Sequence, residues 1–373
     1  MAPDRRIWLA RPQLGEPELR EIEDVLASGQ LTQGPAVAEF ERLVAERVGT
    51  AHAVAVTSAT TALHLSLAAL RVGPGDEVLV PDFTFPATAN VVVQQGATPV
   101  LVDIDIETFA IDPDDLAARL TPRTRAIIPV HPFGLPADMD AVTTIADGAG
   151  VPVIEDAACA LGATYRGRAA GALGRAGCFS FHPRKSITTG EGGMVTTDDP
   201  AFADDLRLLR SHGGVRANGR FTFQAAGFNY RLSDILAAVG VAQMRRLDDL
   251  LAGRRRIAAW YEERLGDQER LRLPVTPEQC THTYQSFVVL LDEDVNRDSI
   301  IAGLRDEGIE TTLGTYALHA QPFFASRLDL RGGDRPASYR AYQGSLALPL
   351  HPGLSEGDVD MVSSRLIDLI NRR

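Results

Sequence analysis

Lysine is all but missing from this chain: of 37 basic residues, 36 are arginine and one, Lys185, is lysine. Cysteine is scarce as well. Cys159, Cys178 and Cys280 stand far apart without the close spacing of metal ligands, which points to reduced thiols rather than a disulfide frame or a zinc site, and no metal is expected. No window approaches the roughly 18 consecutive apolar residues that a membrane span requires, which argues against membrane insertion. The charged start, Met1-Ala2-Pro3-Asp4-Arg5-Arg6, leads into no apolar stretch of the kind that marks a secretion signal, so cytoplasmic residence is the expectation. Positive charge is in deficit, 37 basic against 49 acidic residues with a formal net charge of −12, which argues against nucleic acid as a partner. A small anionic ligand held by a local site is compatible with that balance.

What is present is an ordinary globular composition, 45% hydrophobic and 23% charged over 373 residues. That length favours two domains, or one large domain with a smaller companion. Short β-branched runs at 52–57, 77–80, 98–103, 126–130, 151–155, 177–181 and 194–197 alternate with helical patterns such as 60–71 and 138–149. This rhythm is α/β, and the nearly continuous apolar runs suit a largely parallel sheet covered on both faces, with a ligand site at the carboxyl ends of its strands. After helical stretches at 232–249 and 254–264 the pattern changes to a strand at 284–291, a helix at 297–307 and a terminal helix at 356–371. The reading is a large unit over 1–249, with an N-terminal helical segment, and a smaller α+β unit over 250–373. Arg254-Arg255-Arg256 reads as a solvated helix face.

The solitary lysine invites a chemical question. Arginine serves surface charge and ion pairing as well as lysine does, but near neutral pH it cannot lose its proton and attack a carbonyl. Lys185 is therefore a candidate Schiff-base lysine, the alternative being a coding bias toward arginine that spared one residue. Segment 151–158 is a buried strand closing in Glu155-Asp156, so Asp156 should end near Lys185. A lysine and a carboxylate facing one pocket are what pyridoxal phosphate chemistry requires, the lysine to hold the cofactor and move protons, the acid to keep the ring nitrogen protonated. Asp156 could otherwise cap the next helix. Ser58-Ala59-Thr60-Thr61, between a strand and an Ala/Leu-rich helix, is either an anion anchor or a plain N-cap, and Ser180 offers a second hydroxyl toward the same phosphate. Phe83 and Phe85, at another strand end, are either core residues or a face to stack on a planar ring. Gly190-Glu191-Gly192-Gly193 lets backbone approach the site closely or simply turns the chain.

Further fragments join these: Gln33-Gly34-Pro35, Phe40-Glu41, Thr60-Thr61-Ala62-Leu63-His64-Leu65, Glu155-Asp156-Ala157-Ala158, Ser180-Phe181 with Lys185, and Asn229-Tyr230-Arg231-Leu232-Ser233. Tyr316, Leu318-His319 with Gln321-Pro322, and Leu348-Pro349-Leu350-His351-Pro352 complete the series. In this order, over nearly the whole chain, they resemble the nucleotide-sugar aminotransferases of the DegT/StrS type, a branch of the aspartate-aminotransferase-like pyridoxal phosphate enzymes. The resemblance implies the PLP-dependent transferase fold, with a mixed, mostly parallel sheet in the large domain. It implies Lys185 as the cofactor's lysine, Asp156 as the partner of the pyridinium, and Phe85 as the ring stacked on it. Ala59, Thr60 and Ser180 match phosphate contacts, and Asn229 matches a residue that reaches the phosphate from the neighbouring subunit, which implies a homodimer with shared sites. Cys159 stands where relatives often carry Gln or His beside the cofactor's ring hydroxyl. Phe133-Gly134-Leu135 replaces a more common Tyr-Gly-Gln. His131, His182, Tyr316 and His319 are candidates for substrate contact, with a structural role the favoured reading for each histidine.

The activity so implied is transfer of an amino group from glutamate or glutamine to a nucleotide-linked ketosugar. The run 187–193 resembles members that aminate C4 of a 4-keto-6-deoxy sugar. Amination of a C3-ketosugar or a cyclic polyol ketone is the alternative, with a non-catalytic regulatory module of the same fold as a third. Lys185 counts against the dehydratases of the family, which lack the lysine. A nicotinamide enzyme is disfavoured because no GxGxxG follows the first strand, and Gly171-Ala172-Leu173-Gly174 is wrongly placed to substitute.

Overall fold

The computed structural model describes residues 6–217, 219–328 and 335–371. The charged start at residues 1–5 lies outside them. Seven strands build the principal sheet: β1 (His52–Val56), β2 (Glu77–Pro81), β3 (Thr98–Val102), β4 (Thr124–Ile127), β5 (Ile154–Asp156), β6 (Ala176–Ser180) and β7 (Gly193–Thr197). Their order is β1-β7-β6-β5 on one side and β4-β2-β3 on the other. Parallel bridges Ile127↔Val153 and Val130↔Asp156 join the two halves. β7 runs antiparallel to both neighbours, and every other pairing between adjacent strands is parallel. The sheet is thus mixed and mostly parallel, as expected.

Alternation along β1 shows how both faces are buried. Val54 and Val56 enter one core with Leu63, Leu65 and Leu67 of the helix Ala59–Ala69. Ala53 and Ala55 enter the other, with Val37, Phe40 and Val44 of the helix Pro35–Val48 and with Ala237 and Val241 of the helix Asp234–Met244. Small alanines on that face leave room for the Phe40–Phe181 edge contact, 4.8 Å between ring centres. We label the helices used below α1 (Pro35–Val48), α2 (Ala59–Ala69), α3 (Ala87–Gln94), α4 (Asp234–Met244) and α5 (Leu247–Leu265).

A second, fully antiparallel sheet orders Leu271–Arg272, Phe287–Leu291, Ser345–Leu348 and Thr312–Leu313. Its core collects Ile300 and Leu304 from the helix Arg297–Asp306 and Val359, Val362 and Leu366 from the helix Glu356–Asn371, together with Ile7 from the start of the chain. Helix α5 joins the two cores, with Leu247, Leu250 and Leu251 in the first and Ile257, Ala258, Tyr261 and Leu265 in the second. Two sequence expectations change in detail. The stretch 232–249 is two helices rather than one, broken where the Arg246 guanidinium turns to Glu18 Oε1 and the Gln13 carbonyl, at 2.6 and 2.7 Å. The strand expected from residue 284 starts at Phe287, because Tyr284 adopts a left-handed φ of 49° and the carbonyls of Tyr284 and Gln285 turn toward Arg254.

Candidate active site

The parallel strands deliver their carboxyl ends to one edge of the sheet, where the chemistry-bearing motifs gather. β5 ends in Asp156, β6 in Ser180, β1 runs into the cap of α2, and β2 leads through Asp82 to Phe83–Thr84 and Phe85. Strand register brings two of these together, since Val56, Gly193 and Ser180 are neighbours across β1, β7 and β6. Glycine is required at 193: a Cβ there would lie 2.3 Å from the Ser58 carbonyl and 2.7 Å from Ala59 N. The start of α2 therefore packs directly against β7, beside Ser180. Ser58 is an N-cap, its Oγ accepting from Thr61 N–H at 3.1 Å, and Ala59 and Thr60 form the first turn, where N–H groups have no partner within the helix.

Asp156 is only 6% exposed. Its Oδ2 accepts from Thr88 Oγ1 at 2.8 Å and its Oδ1 from Ala158 N–H at 3.2 Å. Burial nevertheless raises its pKa, outweighing those hydrogen bonds and the positive field of Lys185. Lys185 is half-buried in the loop after β6, and its Nζ donates to Cys159 Sγ at 3.1 Å. The thiol that replaces Gln or His thus touches the lysine amine. Phe83 is core, whereas Phe85 is 66% exposed, leaving a ring free to stack.

The other candidates divide. His131 is fully buried, with Nδ1 accepting from Ala137 N–H at 3.1 Å and Nε2 2.9 Å from Glu155 Oε2. Both ring nitrogens are consumed, so of the two roles open to His131 the structural one holds and substrate contact is set aside. Glu155 also accepts the N–H groups of Gly171, Leu173 and Gly174, each at 2.7 Å, and ties that loop to β5. His182 lies in the lysine loop, where burial lowers its pKa and its own N–H reaches Ser180 Oγ at 3.4 Å. His319 is buried against Asp82, which accepts from its main-chain N–H at 2.8 Å and pairs with Nδ1. A carboxylate at Nδ1 makes that nitrogen the donor of the pair and fixes the orientation of the ring. Tyr316 pairs in register with Thr84, next to Phe85. Asn229 is exposed, on a segment anchored by the Ser211 bridge and by the Phe228–Tyr230 stack at 4.8 Å.

Two residues given no role from the sequence belong to this region. Thr88 orients Asp156; its signal was a hydroxyl in the first turn of α3, close behind Thr84, to which it is also bonded at 3.0 Å. Arg254, read as solvated, is 3% exposed and corrects that reading, while Arg255 and Arg256 do face solvent. Its signal was position: 254 falls on the apolar stripe 247, 250, 251, 257, 258 and 261 of α5.

Residues 12–367 match the profile of the DegT/DnrJ/EryC1/StrS aminotransferase family. The chain belongs to this family. Among its relatives, GDP-perosamine synthase of Caulobacter vibrioides is 42% identical over 365 residues, covering 97% of each chain. Spore coat polysaccharide biosynthesis protein SpsC of Bacillus subtilis is 40% identical over 372 residues, covering 96% of each. Spr1654 of Streptococcus pneumoniae, solved in its PLP form, superposes with a TM-score of 0.94 at 29% identity, covering 98% of this chain and 99% of that one. This DegT/DnrJ/EryC1/StrS member is an aminotransferase, and its cofactor is pyridoxal 5′-phosphate (PLP). The residues present fit that group. The sealed Asp156 carboxylate, raised by burial, calls for a cation such as a protonated ring nitrogen. No helix among the described residues is long and apolar enough to cross a membrane, and no metal-binding cluster occurs among them.

Proposed function

We propose that the chain moves an amino group from glutamate or glutamine to a nucleotide-linked ketosugar, at C4 of a 4-keto-6-deoxy sugar, in a homodimer with shared sites. The observation that carries the reading is the meeting of the only lysine, a sealed carboxylate and a hydroxyl-lined helix start at the carboxyl edge of one sheet. Relatives named for GDP-perosamine synthesis and for spore-coat polysaccharide support a nucleotide-linked sugar. The run 187–193 supports C4, and the exposed Asn229 supports a partner subunit at the site.

When bound, PLP supplies the electron sink that accepts the charge left as the donor's α-carbon loses its proton. Lys185 holds the cofactor and, once its Nζ is a free amine, carries that proton between carbon atoms. Asp156, oriented by Thr88 and the Ala158 N–H, keeps a proton on the ring nitrogen. Ser180 Oγ and the N–H groups of Ala59 and Thr60 receive the phosphate, helped by the positive end of α2. Phe85 would cover one face of the ring, and His182, Tyr316 and His319 would line the sugar side.

The test is product analysis. PLP-loaded protein given a GDP- or dTDP-linked 4-keto-6-deoxy sugar and glutamate should release one 2-oxoglutarate per amino sugar, with nitrogen at C4 by NMR. Nitrogen at C3 would overturn the position, and no product from any ketosugar would overturn the sugar reading.

A further inference from the structure

Arg254 is enclosed in α5, and all its hydrogen bonds run to main-chain carbonyls. Nη1 donates toward Gln285 O at 3.0 Å, Leu350 O at 3.3 Å and Tyr284 O at 3.4 Å. Nη2 donates to the carbonyl of Lys185 itself, at 3.2 Å. Burial pushes its pKa down only to about 10, so the group stays cationic at neutral pH. A buried cation is costly, and a planar fork that spans several fixed acceptors is the geometry in which arginine, unlike lysine, recovers that cost.

The acceptors are themselves fixed. Tyr284 holds its left-handed turn through its N–H on His282 Nδ1 at 2.8 Å, a parallel stack on His282 at 4.1 Å and its hydroxyl on Glu262 at 2.8 Å. From the same turn, Gln285 Nε2 donates to the carbonyl of Arg184 at 2.8 Å. In the same peptide group, Lys185 N–H donates to His182 O at 2.8 Å, while the carbonyl that follows the lysine is the one held by Arg254. Main chain on both sides of the lysine is therefore tied down, and two of the ties come from α5 and the turn before the second sheet.

We infer that Arg254 is a positioning residue for Lys185: its fork locks the lysine loop against the second sheet's unit, so that Nζ departs from and returns to one place. The inference rests on the functional reading above. Arg254→Lys keeps the charge but gathers its donors at one point, and Arg254→Met removes the charge at similar length. The readout is the rate at which cofactor-free protein attaches PLP covalently to Lys185, followed by visible absorbance and confirmed by mass after borohydride, together with kcat and KM per trapped site. Both variants should attach PLP about tenfold more slowly or worse, with kcat per trapped site falling in step, as expected when a reacting group is misplaced. KM should stay within about twofold, and Gln285→Leu should show a smaller effect of the same kind.

Arg254→Lys that attaches PLP and turns over at the wild-type rate, with only its melting temperature lowered, would show that Arg254 merely supports the fold and would overturn the inference. Should Arg254→Met fail to fold, Arg254→Lys and Gln285→Leu decide on the same criterion. Wild-type protein that attaches no PLP would instead sink the functional reading, and this inference with it.

Discussion

A carboxylate sealed at the end of β5 is unfavourable until a positive charge meets it. Because burial raises the pKa of Asp156, the folded cofactor-free protein binds a proton there more tightly than the unfolded chain does. Stability contributed at this position is thus lost as pH rises from the unfolded value of about 4 through the raised one. Asp156→Asn removes that slope, and the cofactor-free variant should melt about 1–3 °C above cofactor-free wild type at pH 7 to 8 by calorimetry. The same variant should lose transamination by about 10²-fold or more, because nothing then holds the ring nitrogen's proton. A variant that melts lower and keeps activity would refute this role. At this scale the sequence was legible where chemistry restricts residue type. Lys185 and Asp156 stood out because the proposed chemistry admits few other residue types at those places, whereas His131 stayed open between two roles because a histidine near a strand end looks the same whether its nitrogens are free or consumed by Glu155 and Ala137.

Among elements, the contact between the start of α2 and the start of β7 decides whether two hydroxyl-bearing segments face one phosphate. Gly193→Ala places a Cβ 2.3 Å from the Ser58 carbonyl, and backbone has to move to admit it. The expected cost is about 1–3 kcal/mol of stability by urea unfolding, the range for overpacking. PLP affinity should fall by about tenfold as Ala59 and Thr60 shift away from Ser180, measured by fluorescence titration. Unchanged affinity would place the phosphate elsewhere. The elements were legible from periodicity, the terminal helix 356–371 to the residue. What one sequence does not carry is a partner two hundred residues away. Nothing in 284–286 announces that its carbonyls serve Arg254, so a strand was expected where the chain turns.

For the whole molecule, two buried histidines set the acid limit. Burial holds His282 at about 3 and His351 at about 4, both below the ordinary value. The unfolded chain binds these protons more readily, so stability is full above about 6.5 and is lost as pH falls toward those values, at most about 1.4 kcal/mol per pH unit for each histidine. Urea midpoints should drop steeply between pH 6.5 and 4, and His282→Asn should flatten the slope; an equally steep slope in the variant would assign the loss to other groups. Strand order was the least legible feature at this scale. The α/β rhythm announces seven strands, but the antiparallel placement of β7 between β1 and β6 depends on packing that no local pattern encodes.

The most direct measurement is the intact mass of the protein before and after borohydride reduction in the presence of PLP, for wild type and Lys185→Arg. With a single lysine in 373 residues, the adduct can form on one side chain only. One reduced pyridoxyl phosphate per wild-type chain, none on Lys185→Arg, and loss of the trapped adduct when glutamate is added first are the expected results. A wild-type chain that gains no mass, or a Lys185→Arg chain that gains as much, would contradict the assignment of Lys185 as the catalytic lysine.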